Sequence, residues 1–164
     1  MTHKMKPFYY FAYGSNLMLT EISRSCPSAA RRCAVRLPDF VLTFPRKSIN
    51  RNCGVASIEA RAGKEVWGGV YEIPEHEREQ LEAREGFKQN RPASSNSYVP
   101  RSLTVFEDGD LAKPLNVITF VANPQANPPL PSNDYRNLII AGAREWNLSA
   151  EYIARLEQIE TSKS

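Results

Sequence analysis

Two short segments of this sequence carry the side chains best suited to chemistry. The first is a turn at residues 13–17, which follows an aromatic run typical of a buried strand and reads Tyr13-Gly14-Ser15-Asn16-Leu17. A strand that enters a helix through such a turn directs several backbone N–H groups at one point, and Asn16 is placed to cap the helix. Those N–H groups can bind a carboxylate or stabilise a developing oxyanion. An ordinary capped connection without any chemistry gives the same pattern.

Glu85 is the second candidate, and we expect it to carry the chemistry. It ends an acidic segment that begins at Pro74, and Gly86 follows it directly. Pro near the first position and Gly just past the end are favoured placements in a helix, so Glu85 is predicted in the last turn. A carboxylate there meets the negative end of the helix dipole, which indicates a role beyond solvation. The dipole, and burial in an apolar cleft, would both raise its pKa toward a range useful for proton transfer.

A simpler interpretation of Glu85 stays open on the sequence alone. The same segment carries four further carboxylates, those of Glu75, Glu77, Glu79 and Glu82. Glu85 can belong with them to one solvated acidic face of the helix.

Two tyrosines are secondary candidates for the same site. Tyr98 begins a strand-like run after the Glu85 region, and Tyr135 follows the double proline at residues 128–129. Either hydroxyl can hydrogen-bond Glu85 or a ligand. Either residue can equally be a core aromatic whose hydroxyl is satisfied by the protein itself.

The elements that must position these residues are mainly strands. Runs rich in β-branched and aromatic residues, bounded by Gly, Pro and Asn, predict strands at residues 8–13, 34–44, 53–59, 65–73, 98–106 and 115–121. Pro38 interrupts the second run, which we therefore expect to be bent or at a sheet edge. Residues 107–110, Glu-Asp-Gly-Asp, have the chemistry of a hairpin turn between two strands.

Helices are predicted after Asn16, after Pro74 and at the C-terminal end. Apolar residues at helical spacing run through residues 135–143 and again through 152–159, with Asn147 and Ser149 at the junction of the pair. Six strands with few helices predict an α+β fold whose mainly antiparallel sheet can close on itself.

Composition bounds the class of protein. We expect residues 1–164 to form a single domain with short flexible termini, since 164 residues are enough for a real core. No apolar run is long enough for a membrane span or a secretory signal, so a cytoplasmic location is the expectation. The three cysteines are odd in number and lack metal-site spacing, which indicates free thiols. A net charge of +3 is too small to indicate nucleic-acid binding.

The order of the motifs resembles one known family. The 13–17 turn, the Glu85-Gly86 pair and the segment from Pro128 to Tyr135 follow one another as in the γ-glutamylcyclotransferase family, and residues 67–71 are similar to its central strand. The resemblance covers roughly residues 8–159. It implies a small mixed, mainly antiparallel β-barrel with surrounding helices, and a homodimer, since family members are often dimeric.

The resemblance also implies a reaction. In a γ-glutamyl compound, the free α-amine attacks the γ-carbonyl, which gives 5-oxoproline and releases an amine or amino acid. The α-carboxylate must be anchored, the amine deprotonated, the carbonyl oxygen stabilised and the leaving nitrogen protonated. One carboxylate can make both proton transfers, so no metal and no cofactor are expected. The resemblance makes Glu85 catalytic, and the implied substrate-binding residues are Tyr13, Gly14, Ser15, Asn16, Leu17, Tyr98 and Tyr135.

The leaving group is where the sequence departs from the family pattern. The loop at residues 87–97 is long and rich in Asn, Ser and Arg, and it can form a lid or a wall on the substrate side. Arg91 and Arg101 are candidates for binding a leaving-group carboxylate, although both can be solvated. A γ-glutamylamine or a biosynthetic intermediate is an alternative substrate. The glutathione-specific branch of the family fits less well. Its corresponding turn resembles Tyr-Gly-Ser followed by an apolar residue at the position of Asn16.

Two other classes of function are compatible with parts of the sequence. A serine or cysteine hydrolase fits poorly, since Ser15 lacks the Gly-x-Ser-x-Gly frame and the histidines are His3, near the N-terminus, and His76, on a charged helix. A catalytically silent small-molecule-binding module on the same fold is the other class. A solvent-facing Glu85, remote from Ser15, would favour that module.

Overall fold

A closed barrel of five strands forms the centre of the computed structural model, which describes residues 6–162. The predicted flexible termini at residues 1–5 and 163–164, with His3, lie outside the described residues. The strands are β1 (Phe8–Ala12), β2 (Ala30–Ser48), β3 (Cys53–Ile73), β4 (Tyr98–Glu107) and β5 (Pro114–Ala122). They follow one another around the barrel as β1, β3, β2, β4 and β5. β1 and β5 pair in parallel and all other pairs are antiparallel, so the predicted mixed, mainly antiparallel barrel is confirmed.

The strand count differs from the prediction of six, because the third and fourth predicted runs are one strand. β3 continues from the buried stretch at residues 53–58 through residues 59–64, which are all exposed. Strands are predicted from alternating apolar and polar residues, and an exposed stretch lacks this alternation. The sequence therefore predicts two strands, separated where β3 leaves the core. β2 is bent as predicted, with a register shift between Pro38 and Phe40 and a positive φ of 63° at Asp39.

Within residues 6–162, four α-helices surround the barrel: α1 (Leu19–Ile22), α2 (Arg78–Arg84), α3 (Asn133–Glu145) and α4 (Ala150–Glu157). Short 3₁₀ turns lie at Ser15–Leu17, Glu75–Glu77 and Ala93–Ser95. Pro74 precedes the turn that leads into α2, and Gly86 ends this helix with a φ of +71°, a conformation that glycine adopts without strain. The predicted C-terminal helix pair is present, with the Ser149 hydroxyl capping α4.

The 13–17 turn is fixed to the barrel and to α3 through Leu17. The Leu17 carbonyl accepts hydrogen bonds from the Tyr71 hydroxyl at 2.7 Å and from Trp146 Nε1 at 2.8 Å. Tyr71 lies on β3, and Trp146 follows α3 and packs edge-on against the Tyr71 ring. A Cβ at Gly69 would lie 2.4 Å from the Trp146 ring, so packing explains this strand glycine. The turn is therefore held from two sides.

The three cysteines are free thiols, as predicted. From residue 6 to residue 162, none of the helices has the length and apolar character needed to cross a membrane.

Candidate active site

A small pocket lies between the 13–17 turn and the C-terminal end of α2. It has a volume of about 50 Å³ and is partly open to solvent. Strands β1, β3, β4 and β5 and helix α3 supply the rest of its wall. The residues that line it are Tyr10, Tyr13, Gly14, Ser15, Asn16, Ala56, Glu85, Tyr98, Phe120 and Tyr135. Seven of the eight predicted site residues therefore lie around one cavity.

Glu85 caps the C-terminal end of α2 and is partly buried at the wall of the pocket. Its Oε1 accepts a hydrogen bond of 3.1 Å from Asn16 Nδ2, which also donates to the Tyr10 hydroxyl at 3.0 Å. Burial raises the pKa of Glu85 to about 7, against the opposing effects of Arg84, the Asn16 hydrogen bond and Arg51. A carboxyl group with this pKa can both accept and return a proton near neutral pH.

The other carboxylates of this segment do not form one solvated face. Glu77 is 3% exposed and Glu82 is 8% exposed, while Glu75 hydrogen-bonds Arg78 at 2.6 Å. Glu79 alone among these four is exposed. Glu85 differs from all of them because it faces the pocket and the 13–17 turn.

The predicted helix cap at Asn16 is wrong. The turn is a 3₁₀ turn with Gly14 at its N-cap position and no side-chain cap, and α1 begins only at Leu19. The Asn16 side-chain amide instead donates hydrogen bonds to two pocket groups, Glu85 and Tyr10. A local rule predicted the cap, but two hydrogen-bond partners from elsewhere in the fold bind the amide.

Backbone donors are available at the turn. The N–H groups of Leu17 and Met18 donate within it, to Gly14 and Ser15 carbonyls, each at 3.1 Å. In the described part of the chain, the N–H groups of Gly14, Ser15 and Asn16 make no hydrogen bond. Three backbone donors beside one cavity can bind a carboxylate or a developing oxyanion.

Leu17 is the predicted site residue that lies outside the pocket. Its side chain is fully buried in the core, its N–H donates to Gly14, and its carbonyl is bound by Tyr71 and Trp146. Leu17 therefore anchors the turn from behind, and the groups that face the cavity precede it in sequence.

The three predicted tyrosines line the pocket through hydroxyls that also bind backbone. Tyr13 donates to the Phe120 carbonyl, Tyr98 donates to the Ala56 carbonyl at 2.6 Å, and Tyr135 accepts from the Ala56 N–H at 3.0 Å. Burial raises the pKa of Tyr135 to about 12 and those of Tyr13 and Tyr98 well above their usual value. All three stay neutral near pH 7, so they can hydrogen-bond a ligand but cannot act as bases there.

Three lining residues were not predicted: Tyr10, Ala56 and Phe120. Tyr10 belongs to the aromatic run of β1, where nothing in the sequence separates a pocket residue from a core residue. The Ala56 N–H and carbonyl bind Tyr135 and Tyr98, and the Phe120 carbonyl binds Tyr13. Every residue has these backbone groups, so the residue type does not indicate that Ala56 or Phe120 lies at the pocket.

Arg91, Arg101 and His76 do not line the pocket. Arg91 Nε donates to Asn96 Oδ1 at 2.5 Å, and Arg101 stacks over Phe40, with its guanidinium carbon 5.2 Å from the ring centroid. The side chain of His76 is 77% exposed. The first part of the loop, residues 87–91, forms one wall of a separate groove of about 550 Å³ against α2.

Residues 6–162 contain no cluster of three or more His, Cys, Asp and Glu side chains arranged to hold a metal ion. The chemistry available at the pocket is that of one carboxyl group, backbone donors and neutral hydroxyls. This set suits an acyl transfer that needs proton movement and oxyanion stabilisation.

Comparison with known proteins agrees with this chemistry. The model of the AIG2-like family matches residues 65–156. Human γ-glutamylcyclotransferase is 35% identical over 158 residues, which span 93% of this chain and 79% of the human protein, and the bovine enzyme is 35% identical over 159 residues with the same coverage. A solved structure of a γ-glutamyl cyclotransferase superimposes with a TM-score of 0.85 at 31% identity, covering 96% of this chain and 90% of that one. The chain therefore belongs to the γ-glutamylcyclotransferase family.

Proposed function

We propose that this enzyme cyclises γ-glutamyl compounds to 5-oxoproline with Glu85 as general base and then general acid. One observation carries the proposal. The Glu85 carboxylate is hydrogen-bonded to Asn16, inside the same turn whose N–H groups at Gly14, Ser15 and Asn16 face no protein acceptor in the described residues. A proton-transfer group and an oxyanion or carboxylate site thus share one cavity.

The steps follow from this arrangement. The turn N–H groups bind the α-carboxylate of the substrate or the oxygen of its γ-carbonyl, and Glu85 takes a proton from the α-amine. The amine nitrogen forms a bond to the γ-carbon, which gives a tetrahedral intermediate. Glu85 returns its proton to the leaving nitrogen as the original amide bond breaks. One proton is moved out and back, so the enzyme ends in its starting state.

We further propose that the leaving group carries a carboxylate, as in γ-glutamyl amino acids. The guanidinium groups of Arg51 and Arg84 lie near enough to Glu85 to lower its pKa, so the surroundings of the pocket are positive. Positive charge favours an anionic leaving group over a neutral or cationic amine. γ-Glutamylamines and γ-glutamyl biosynthetic intermediates remain the alternative substrates.

The deciding experiment is an assay of 5-oxoproline release from a panel of γ-glutamyl amino acids, γ-glutamyl amines and glutathione. We expect the highest kcat/KM for a γ-glutamyl amino acid. A preference for amines would overturn the proposal on the leaving group alone. Absence of product from every member of the panel would contradict the proposed reaction and favour a silent binding module.

Turnover should depend on pH through Glu85. The general base is the ionised carboxylate, and the pKa of Glu85 is raised to about 7 by burial. The kcat/KM is therefore expected to fall about tenfold per pH unit on the acid side of about 7. A profile measured between about pH 5 and 9 checks this expectation. An acid limb centred near the ordinary glutamate pKa would contradict it.

Chelators should leave the rate unchanged. One carboxyl group and the backbone donors meet all the requirements of the cyclisation, so no step needs a Lewis acid. The test is 5-oxoproline release after EDTA treatment, compared with untreated enzyme. Loss of turnover that a divalent ion restores would show that the site has been misinterpreted.

A further inference from the structure

Glu21 is a buried carboxylate outside the pocket that three arginines surround. It lies on α1 and is 6% exposed. Its oxygens are 3.0 Å from Arg84 Nη2, 3.3 Å from Arg24 Nη1 and 3.4 Å from Arg51 Nη2. Three guanidinium groups therefore share one carboxylate, and the cluster keeps an excess of positive charge.

Two of these arginines adjoin the proposed general base. Arg84 is the residue before Glu85, and the Arg51 guanidinium stacks over the ring of Tyr135, 5.1 Å from its centroid. Both lower the pKa of Glu85. In the described part of the chain, neither forms an ion pair with Glu85, and both are bound to Glu21.

We propose that Glu21 is a positioning residue, which holds Arg51 and Arg84 off Glu85 and so leaves the Glu85 carboxylate free to take a proton. The proposal rests on the assignment of Glu85 as the general base. Guanidinium groups pair strongly and often bidentately with carboxylates, so arginines released from Glu21 find their next partner in Glu85.

The electrostatic consequence can be derived from the groups that face Glu85. Tyr10 on β1, Tyr13, Tyr98 on β4 and Tyr135 on α3 all have raised pKa values and are neutral near pH 7. Arg51 and Arg84 are thus the charges that oppose the effect of burial on Glu85. An opposite charge in direct contact lowers a carboxyl pKa by about 1–3 units.

The test compares Glu21→Gln with wild type in a carboxyl ¹³C NMR titration, with the Glu85 signal assigned by its loss in Glu85→Gln. We expect the Glu85 pKa to fall by about 1–2 units in Glu21→Gln. Adding Arg51→Gln to this variant should reverse much of the shift. The acid limb of kcat/KM should move to lower pH with the pKa, while the rate on the plateau falls because the base is paired.

Glu77→Gln is the matched control. Glu77 is 3% exposed and accepts from the Ser28 N–H at 3.1 Å, so it is an equally buried carboxylate bound to a backbone donor. If the loss of any buried carboxylate lowers stability or turnover, both variants should show that loss. A lower Glu85 pKa is expected only for Glu21→Gln.

Each outcome decides the matter. An unchanged or raised Glu85 pKa in folded Glu21→Gln would overturn the proposal. A lowered pKa with an unmoved acid limb would support the positioning by Glu21 while removing Glu85 as the base, so the two proposals fail separately. If Glu21→Gln does not fold, Glu21→Asp keeps the charge with a shorter reach. It should shift the pKa in the same direction by a smaller amount, and no shift there would overturn the proposal.

Discussion

Replacement of Glu85 by glutamine is expected to reduce 5-oxoproline formation by about 10³–10⁴-fold. The amide keeps nearly the shape of the carboxyl group, and its oxygen can still accept from Asn16 Nδ2. It cannot carry a proton from the α-amine to the leaving nitrogen. Because one group performs both transfers in the proposed mechanism, the loss should lie at the high end of the range for general acid–base catalysis. Steady-state kinetics with the best substrate of the panel measure it.

Glu79→Gln is the control for this substitution. Glu79 lies on the same helix, α2, and is exposed, so its replacement removes an equal charge without touching the pocket. Its rate should stay close to that of the wild type. Equal, near-wild-type product formation by both variants would exclude Glu85 as the proton carrier.

The stability of Glu85→Gln separates a chemical effect from a folding effect. A glutamate whose pKa rises from 4.5 to about 7 on folding binds its proton more tightly in the native state. The native protein is therefore relatively more stable below pH 4.5, loses this stabilisation as the pH rises, and bears the full cost of ionising Glu85 above about 7. Glutamine removes that cost. Thermal unfolding at about pH 8 should show the variant more stable than wild type, by on the order of 1–3 kcal/mol.

Local chemistry in the sequence was enough to predict much of the α2 region. Pro74 and Gly86 bound the segment, and their positions relative to the helix follow from backbone geometry alone. Glu85 then stands out as a carboxylate at the C-terminal end of the helix, where the helix dipole disfavours a negative charge. The C-terminal pair could be predicted in the same way, because each helix has an apolar stripe of helical period and a capping serine.

The remainder depends on contacts that no local pattern encodes. β3 continues through its exposed stretch because β2 pairs with it on both sides, at Ala60 and at Glu65. The Asn16 amide binds Glu85 rather than the backbone because α2 lies beside the turn. Of the arginines around Glu21, Arg24 follows α1 and lies three residues away, but Arg51 in the β2–β3 connection and Arg84 on α2 are far from it in sequence. Tertiary structure therefore sets the partners and the pKa of Glu85, while the sequence indicated the residue itself.

Gly68→Ala is expected to destabilise the protein by about 3 kcal/mol, at the upper end of the usual cost of overpacking. A Cβ at Gly68 would lie 2.1 Å from the Ala12 carbonyl oxygen and 2.8 Å from Phe11 Cε1. The carbonyl is a backbone atom of β1 and cannot rotate away, so β1 and β3 must separate. Since β1 leads directly into the 13–17 turn, the turn should be displaced, and turnover should fall even in the fraction that stays folded.

Gly63→Ala is the comparison that isolates this clash. Gly63 lies on the exposed part of the same strand with a φ of +81°, and a Cβ there meets no described atom within 4 Å. Its replacement should cost on the order of 1 kcal/mol from the backbone conformation alone, without an effect on kcat. Urea unfolding gives the free energy of unfolding of both variants, and 5-oxoproline release gives the rate per folded molecule. Similar losses of stability in the two variants, with unchanged turnover in Gly68→Ala, would show that β1 and the turn do not depend on this close approach.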